Sequence, residues 1–270
     1  MENTRIAARG LVLLGCGKMG SAMLAGWLAR GLPPQSVWVR DPAPSDWLRS
    51  SGVNLNTDIP QAPGVVVVAV KPQLMADALP AMSEHGGGET VFLSVAAGTP
   101  LSCFEDVLGE ATPVVRAMPN TPAAIGQGIT ALVANDAGQS ALDEAEALLS
   151  AVGVVVRLDD EGQMDAVTGV SGSGPAYVFH LIESLAAAGE TQGLPADLSM
   201  ALAKATVAGA GALAMQSVET PSQLRVNVTS PNGTTQAGLE VLMDDTNGLP
   251  PLVRKTVAAA TQRSRELADG

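Results

Sequence analysis

The ten residues LVLLGCGKMG, Leu11–Gly20, pass from four apolar side chains directly into three glycines spaced G-x-G-x-x-G. The apolar run has the length and character of a buried strand. The stretch after it, Met19 to Arg30, patterns as a helix and is stopped by Gly31 and by Pro33-Pro34. Each glycine has a mechanical reason in that setting. Gly15 permits the tight turn, Gly17 admits a pyrophosphate close to the backbone, and Gly20 lets the helix lie on the strand. The exposed N–H groups and the helix dipole then favour phosphate. A plain tight turn is the bland alternative, because glycine-rich turns are common. Strand before, helix after, and a second strand ending about 20 residues on make the pattern specific. Gly15, Cys16, Gly17, Lys18, Met19 and Gly20 are therefore candidate contacts for a nicotinamide dinucleotide.

Outward from this unit, residues 1–160 alternate short β-branched runs with helical stretches. Strand candidates are Leu11–Leu14, Val37–Arg40, Val65–Val70, Val91–Val95, Val114–Arg116, Ile129–Val133 and Val154–Leu158. Val65–Val70 is apolar throughout, as a parallel strand covered on both faces should be. The alternation argues for an α/β fold, a Rossmann-type doubly wound parallel sheet. Near DDEG, Asp159–Gly162, strand patterning ends. Helices are expected over Pro175–Ala188, Pro195–Gln216, Thr234–Met243 and Pro251–Leu267. The expected division is thus a dinucleotide-binding domain, 1–160, and an all-helical domain, 161–270. Ala201–Met215 is nearly all Ala, Gly, Val and Leu, and a helix apolar all round is a buried one. A lobe of this size has limited means of burying it alone, so we expect burial against a second copy. A monomeric bundle is the alternative.

Composition excludes several functions. Fifteen Lys and Arg against 27 Asp and Glu leave a formal charge of −12, which repels nucleic acid and anionic membrane. Aromatic residues make up only 3 %, too few for base-stacking platforms. Cys16 and Cys103 form no disulfide framework, and with only His85 and His180 beside them no metal site is expected. A reducing, cytoplasmic setting is the simplest reading. Arg5 and Arg9 before LVLLGC resemble a short leader with a lipid-accepting Cys16, but the apolar run is shorter than the roughly 7–15 residues a secretory core needs. Lys204 is expected to interrupt the best candidate for a membrane span, which needs about 20 apolar residues.

Further candidates sit where the carboxyl edge of the sheet should be. Arg40 and Asp41 end the second strand. An acid there takes the ribose 2′-OH of NAD, an arginine suits the 2′-phosphate of NADP, and this chain offers both. Asp41 has the further option of capping the Asp-Pro turn. AVKPQ places Val70, Lys71 and Pro72 after the fourth strand. Ala96-Ala97-Gly98 forms a turn after the next, and RAMPNTPA places Arg116 at a strand end with Asn120 between two prolines. All of these except Arg116 are expected to bind cofactor, although position alone suits Lys71 equally well as a solvated lysine.

One stretch in the helical half is unusual: VTSPNGTTQAGL, Val228–Leu239, carries Thr229, Ser230, Thr234 and Thr235 together. Helix capping accounts for one or two of these hydroxyls, not four.

In order and approximate spacing, GCGKMG, AVKP, VAAG, RAMPNTPA, VSGSGPAYVF and VTSPNGTTQAGL resemble the pyrroline-5-carboxylate reductases, which perform the last step of proline synthesis. The resemblance runs from Leu11 to about Leu267, and RAMPNTPA and the SP-x-G-T-T opening are its most specific parts. It implies a Rossmann domain followed by a helical domain that interlocks with a partner's into a homodimer, with dimers assembling in many members into a ring of five, a homodecamer. It implies NADPH as cofactor, with NADH possible, and an active site where the nucleotide edge meets the helical dimer lobe. The loop matching Ser230–Thr235 would receive the substrate carboxylate. Backbone N–H groups of Gly233, Thr234 and Thr235 suit an anion, while Ser230 suits either a helix cap or a carboxylate contact. Thr235 matches the threonine that hydrogen-bonds the substrate ring nitrogen, so it is the candidate catalytic residue. Ser173 is placed beside the substrate. Tyr177 and Phe179 read as core, and His180 as a buried structural histidine. Two departures stand out: Asn232 replaces a usual glycine, and Val226 stands where many relatives carry an acid.

The implied reaction is hydride transfer from a reduced nicotinamide to the imine carbon of 1-pyrroline-5-carboxylate. A β-hydroxyacid dehydrogenase is disfavoured because Lys204, in LAKATVAGAG, lacks the asparagine that should follow a catalytic lysine. A nucleotide-binding scaffold without turnover is the rival from another class.

Overall fold

The computed structural model describes residues 4–268. By their contacts these fall into two units: residues up to 172 together with those from 260 onward, and residues 173–259.

The first unit is built on one eight-stranded sheet. Its strands are β1 (Leu11–Leu14), β2 (Val37–Arg40), β3 (Asn54–Leu55), β4 (Val65–Val68), β5 (Val91–Ser94), β6 (Val114–Met118), β7 (Gly128–Ala134) and β8 (Gly153–Arg157). Their order is β3-β2-β1-β4-β5-β6-β7-β8. Helices α1 (Thr4–Arg9), α2 (Lys18–Ala29), α3 (Asp46–Ser50), α4 (Met75–Ala78), α5 (Leu101–Leu108), α6 (Leu142–Leu149) and α7 (Met164–Val167) accompany it. Alternate strand residues feed two cores. Leu11, Leu13, Val65 and Val67 pack with Met23, Leu24 and Trp27 of α2 and Leu148 of α6. Val12, Leu14, Val66 and Val68 pack with Met75, Leu79, Phe104 and Leu108. Burial on both faces is why these strands read as unbroken apolar runs. The one polar atom of Trp27 is satisfied, since Nε1 donates to the Leu148 carbonyl at 2.9 Å.

Two details depart from the sequence reading. The sheet is not wholly parallel: β7 runs antiparallel to β6, while every other pair is parallel. The link from Met118 to Gly128 is too short for a parallel crossover, which needs a dozen or more residues. The edge strand β3, two residues long, was too short to register as a pattern.

The second unit consists of α8 (Gly174–Thr191), α9 (Ala196–Gln216), α10 (Pro221–Asn227), α11 (Thr234–Leu242) and the first part of α12 (Leu249–Ala268). The α8–α9 hairpin is closely packed, with a Cβ built on Gly189 falling 2.9 Å from Ser199 Oγ. Yet Ala186 and Ala203 are its only buried apolar side chains among the described residues, while Phe179, Leu202, Leu213, Met215 and Val241 are exposed. The expectation that α9 is buried therefore fails within a single chain. Phe179 and His180 also lie outside any core, and His180 Nδ1 instead meets Glu183 Oε2 at 3.2 Å. By length and composition α9 is also apolar enough to cross a membrane, so Lys204 does not interrupt it as expected. A helical unit with so little apolar surface covered needs a second surface to cover it.

Ser199 gives the first testable consequence. It is almost wholly buried, and its hydroxyl meets no partner among the described residues. An unpaired buried hydroxyl costs free energy that alanine would not. Ser199→Ala is expected to hold or raise the thermal midpoint, read by calorimetry, whereas a drop of several degrees would show a hidden partner.

Candidate active site

The glycine loop takes the form its spacing implies. Gly15 has φ +85°, and a Cβ there would meet the Ala69 carbonyl oxygen at 2.9 Å. Its N–H donates to the Arg40 carbonyl at 2.8 Å, which carries the sheet ladder past the end of β1. A Cβ on Gly20 would collide with the Gly15 carbonyl oxygen, whereas one on Gly17 has nothing within 4 Å. Gly17 caps α2 without a side-chain hydrogen bond, and the first helical bond runs from Ser21 N–H to the Gly17 carbonyl. The N–H groups of Lys18, Met19 and Gly20 thus face an open cradle at a helix N-terminus, a fitting seat for pyrophosphate. The loop lies where β1 separates β2 from β4, the crevice in which open α/β sheets bind ligands.

Cys16 serves this loop through its backbone. Its N–H donates to Asp41 Oδ2 at 2.7 Å. Burial, then the Asp41 charge, pushes the thiol up to about 11, so it stays protonated at neutral pH and is no nucleophile. Asp41 Oδ1 accepts the Ala43 N–H at 2.8 Å. Arg40 is exposed.

Along the same edge, Val70 follows β4, and the exposed Lys71 precedes a short 3-10 turn begun by Pro72. Ala96 is buried, and Gly98 turns the chain at φ +71°, where a Cβ would touch Leu267 at 3.3 Å. Asn120, just past β6, is a latch to β7 and to the helical turn Thr168–Gly172. Its Oδ1 accepts the Ile129 N–H at 3.0 Å, and its Nδ2 donates to the Ser171 carbonyl at 3.1 Å. Arg116 lies within β6, not at its end as expected. It is buried, and Nη1 donates to Glu161 Oε1 at 2.6 Å. The same Glu161 oxygen accepts the Leu101 N–H at 2.9 Å, so one carboxylate ties β6 to the start of α5. Removing one partner of a buried pair leaves an uncompensated charge. For Glu161→Ala, with Glu161 partly exposed, the expected loss of stability is about 2–4 kcal/mol, read by urea unfolding. An unchanged midpoint would contradict the tie.

The other candidate residues lie on the helical unit, and the hydroxyls there separate into two kinds. Thr229 Oγ1 donates to the Arg225 carbonyl at 2.6 Å and so finishes α10. Ser230, Thr234 and Thr235 make no side-chain hydrogen bond to any described residue and are exposed. Asn232 sits at φ +56°, a left-handed geometry that asparagine tolerates. Its N–H donates to Gln236 Oε1 at 2.8 Å. Gly233, not Ser230, is the N-cap of α11, and no side chain caps that helix. The Gly233 N–H is engaged by the Ser230 carbonyl at 3.0 Å, and the first helical bond is Ala237 N–H to the Gly233 carbonyl. Among the described residues the unmet donors are therefore the N–H groups of Thr234, Thr235 and Gln236. Gln236 went unnoticed in the sequence, where only its place in the first helical turn could have marked it. Ser173 precedes α8 and makes no capping hydrogen bond.

Residues 161–267 match the family model for pyrroline-5-carboxylate reductase dimerisation, and residues 10–98 match that for NADP oxidoreductase, coenzyme F420-dependent. A pyrroline-5-carboxylate reductase of Pseudomonas aeruginosa is 40 % identical over 276 residues, covering 100 % of this chain and 98 % of that protein. The chain belongs to the pyrroline-5-carboxylate reductase family. A second member, from Methanosarcina acetivorans, is 36 % identical over 99 % of both chains. Among solved structures, the reductase of Coxiella burnetii superposes with a TM-score of 0.90 at 32 % identity, over 96 % of this chain and 98 % of that one. The Plasmodium falciparum pyrroline carboxylate reductase, solved with NADP bound, gives 0.84 at 27 % identity over 99 % of both. The dimerisation match takes in the whole helical unit, so pairing with a second copy accounts for its uncovered apolar faces. The match to residues 10–98 runs from just before β1 to Gly98 and takes in every cofactor candidate except Asn120.

Proposed function

We propose that this chain reduces the imine of 1-pyrroline-5-carboxylate to L-proline, with NADPH as its main cofactor and NADH as a lesser one. The observation that carries the reading is a pair of uncapped helix N-termini. One follows the glycine loop, and the other is ringed by the unengaged hydroxyls of Ser230, Thr234 and Thr235. Gly15, Cys16, Gly17, Lys18, Met19 and Gly20 would hold the dinucleotide phosphates, with Arg40 and Asp41 toward the far ribose. Val70, Lys71, Pro72, Ala96, Ala97, Gly98 and Asn120 would line the nicotinamide. Bound there, a reduced nicotinamide supplies the hydride.

The chain's own part is placement and polarisation. Ser230, Ser173 and the N–H groups of Thr234 and Thr235 would hold the carboxylate. Because the Gly233 N–H is already engaged, Gly233 would serve through its conformation. The Thr235 hydroxyl would hydrogen-bond the ring nitrogen and relay a proton, making the imine carbon electrophilic. General acid assistance contributes about 10²–10⁴-fold, and fixing the reacting atoms contributes at least as much. We assign dinucleotide binding to residues 1–160 and substrate binding and dimerisation to 161–270. In the same reading α9 packs within a homodimer and not in a bilayer, dimers can assemble into a decamer, and the enzyme is cytoplasmic, in keeping with two free thiols. Purified protein should oxidise NADPH only when the imine is present and form proline in equal amount. Oxidation indifferent to the imine would overturn the proposal.

A further inference from the structure

The two residues at the end of β2 need not share one task. Asp41 is held on all sides. Cys16 N–H donates to its Oδ2 at 2.7 Å, and Ala43 N–H to its Oδ1 at 2.8 Å. Its own N–H donates to Asn56 Oδ1 at 2.9 Å, and its carbonyl accepts from Asn56 Nδ2 at 2.8 Å. Asn56 reaches this position through a left-handed backbone, φ 53°, directly after β3, and its N–H is anchored on the Val39 carbonyl at 2.9 Å. The carboxylate thus ties the glycine loop to the chain leaving β2. Turning it to bridge a ribose diol would break two charge-assisted hydrogen bonds and leave the Cys16 N–H unpaired in a part-buried loop. Arg40 is the opposite case. It is exposed, and its guanidinium makes no hydrogen bond or ion pair to any described residue. On a chain of net charge −12, a placed cation is what holds a further phosphate.

We infer that Asp41 is the positioning residue of the dinucleotide loop and that Arg40 is the specificity determinant, its planar fork reading a 2′-phosphate. The inference rests on the nicotinamide-binding reading above. It resolves a conflict that the sequence leaves open, because an acid at this position ordinarily signals a preference for the free 2′-OH.

The test is direct binding of NADPH and NADH, followed by dinucleotide fluorescence, to the full-length wild type, Arg40→Gln, Asp41→Asn and Asn56→Ala. Arg40→Gln should weaken NADPH by about tenfold to a hundredfold, the range of a lost charged hydrogen bond, and leave NADH within about twofold. Asp41→Asn and Asn56→Ala should weaken both cofactors in parallel, with the NADPH-to-NADH ratio unchanged, and lower the thermal midpoint. An Asp41→Asn protein that shifts tenfold toward NADPH would overturn the inference, as would an Arg40→Gln protein with an unaltered ratio. Should Asp41→Asn fail to fold, Arg40→Gln and Asn56→Ala still decide the matter. No substrate is involved, so a wild type that binds NADPH but leaves the imine unreduced defeats the proposed reaction and not this inference. One that binds neither dinucleotide defeats both.

Discussion

Thr235→Ala is expected to lower kcat by about 10²–10⁴-fold while dinucleotide affinity and thermal stability stay where they are. The expectation follows from what the hydroxyl does not do. It makes no hydrogen bond to any described residue, and α11 is capped at Gly233 without help from a side chain. Alanine is the better helix former, so the fold loses nothing at this position. Any loss must then come from the reaction. Thr235→Ser, which keeps the oxygen, should retain most of kcat, and Thr229→Ala should behave differently again. Thr229 is bonded to the Arg225 carbonyl, so its removal should touch stability before turnover. A Thr235→Ala enzyme with unchanged kcat would remove the residue from the mechanism.

The second large effect is expected at the glycine loop, where two similar substitutions should part company. Gly20→Ala drives a Cβ into the Gly15 carbonyl oxygen, a backbone atom with no rotamer to give way. Loop and helix must shift together, costing both stability and, at a factor of about 100 or more, affinity for either dinucleotide, since aligned loop amides are worth several charge-assisted hydrogen bonds. Gly17→Ala meets nothing within 4 Å, so the protein should fold with an unaltered thermal midpoint. Its methyl nevertheless projects into the space we propose for the pyrophosphate, and affinity should fall with the fold intact. Equal binding by Gly17→Ala and wild type would place the phosphates elsewhere.

How much of this was legible beforehand depended on the kind of signal each residue carries. Leu11–Leu14 and Val65–Val68 could be read as central strands because burial on both faces leaves an unbroken apolar run. The glycine loop was legible because Gly15 and Gly20 answer to backbone sterics that spacing encodes. The direction of β7 was not, since a side-chain pattern looks the same whichever way a strand runs, and only the short link after Met118 told against a crossover. Arg116 looked like a strand-end cation because nothing in the sequence links it to Glu161 across 45 residues. Nothing in the VTSPNGTTQAGL stretch marks Thr229 as engaged, yet the fold bonds it to the Arg225 carbonyl and leaves Ser230, Thr234 and Thr235 without a side-chain hydrogen bond among the described residues. The apolar character of their helix suggests a core for Phe179 and His180. Within one chain they are exposed, because that helix covers little of its apolar surface within its own unit. Asp41 was ambiguous for a similar reason: whether an acid at the end of β2 faces a ribose or a loop amide is a matter of direction, not of identity.

The central claim is that hydride passes from a reduced nicotinamide to the imine carbon of 1-pyrroline-5-carboxylate on this chain. It is tested most directly by supplying NADPH deuterated at the transferable position of the nicotinamide and examining the proline that forms by NMR and mass spectrometry. The account predicts one deuterium per proline, on the ring carbon bonded to nitrogen and remote from the carboxylate. Proline without the label, or NADPH that binds and is never consumed in the presence of the imine, would contradict it.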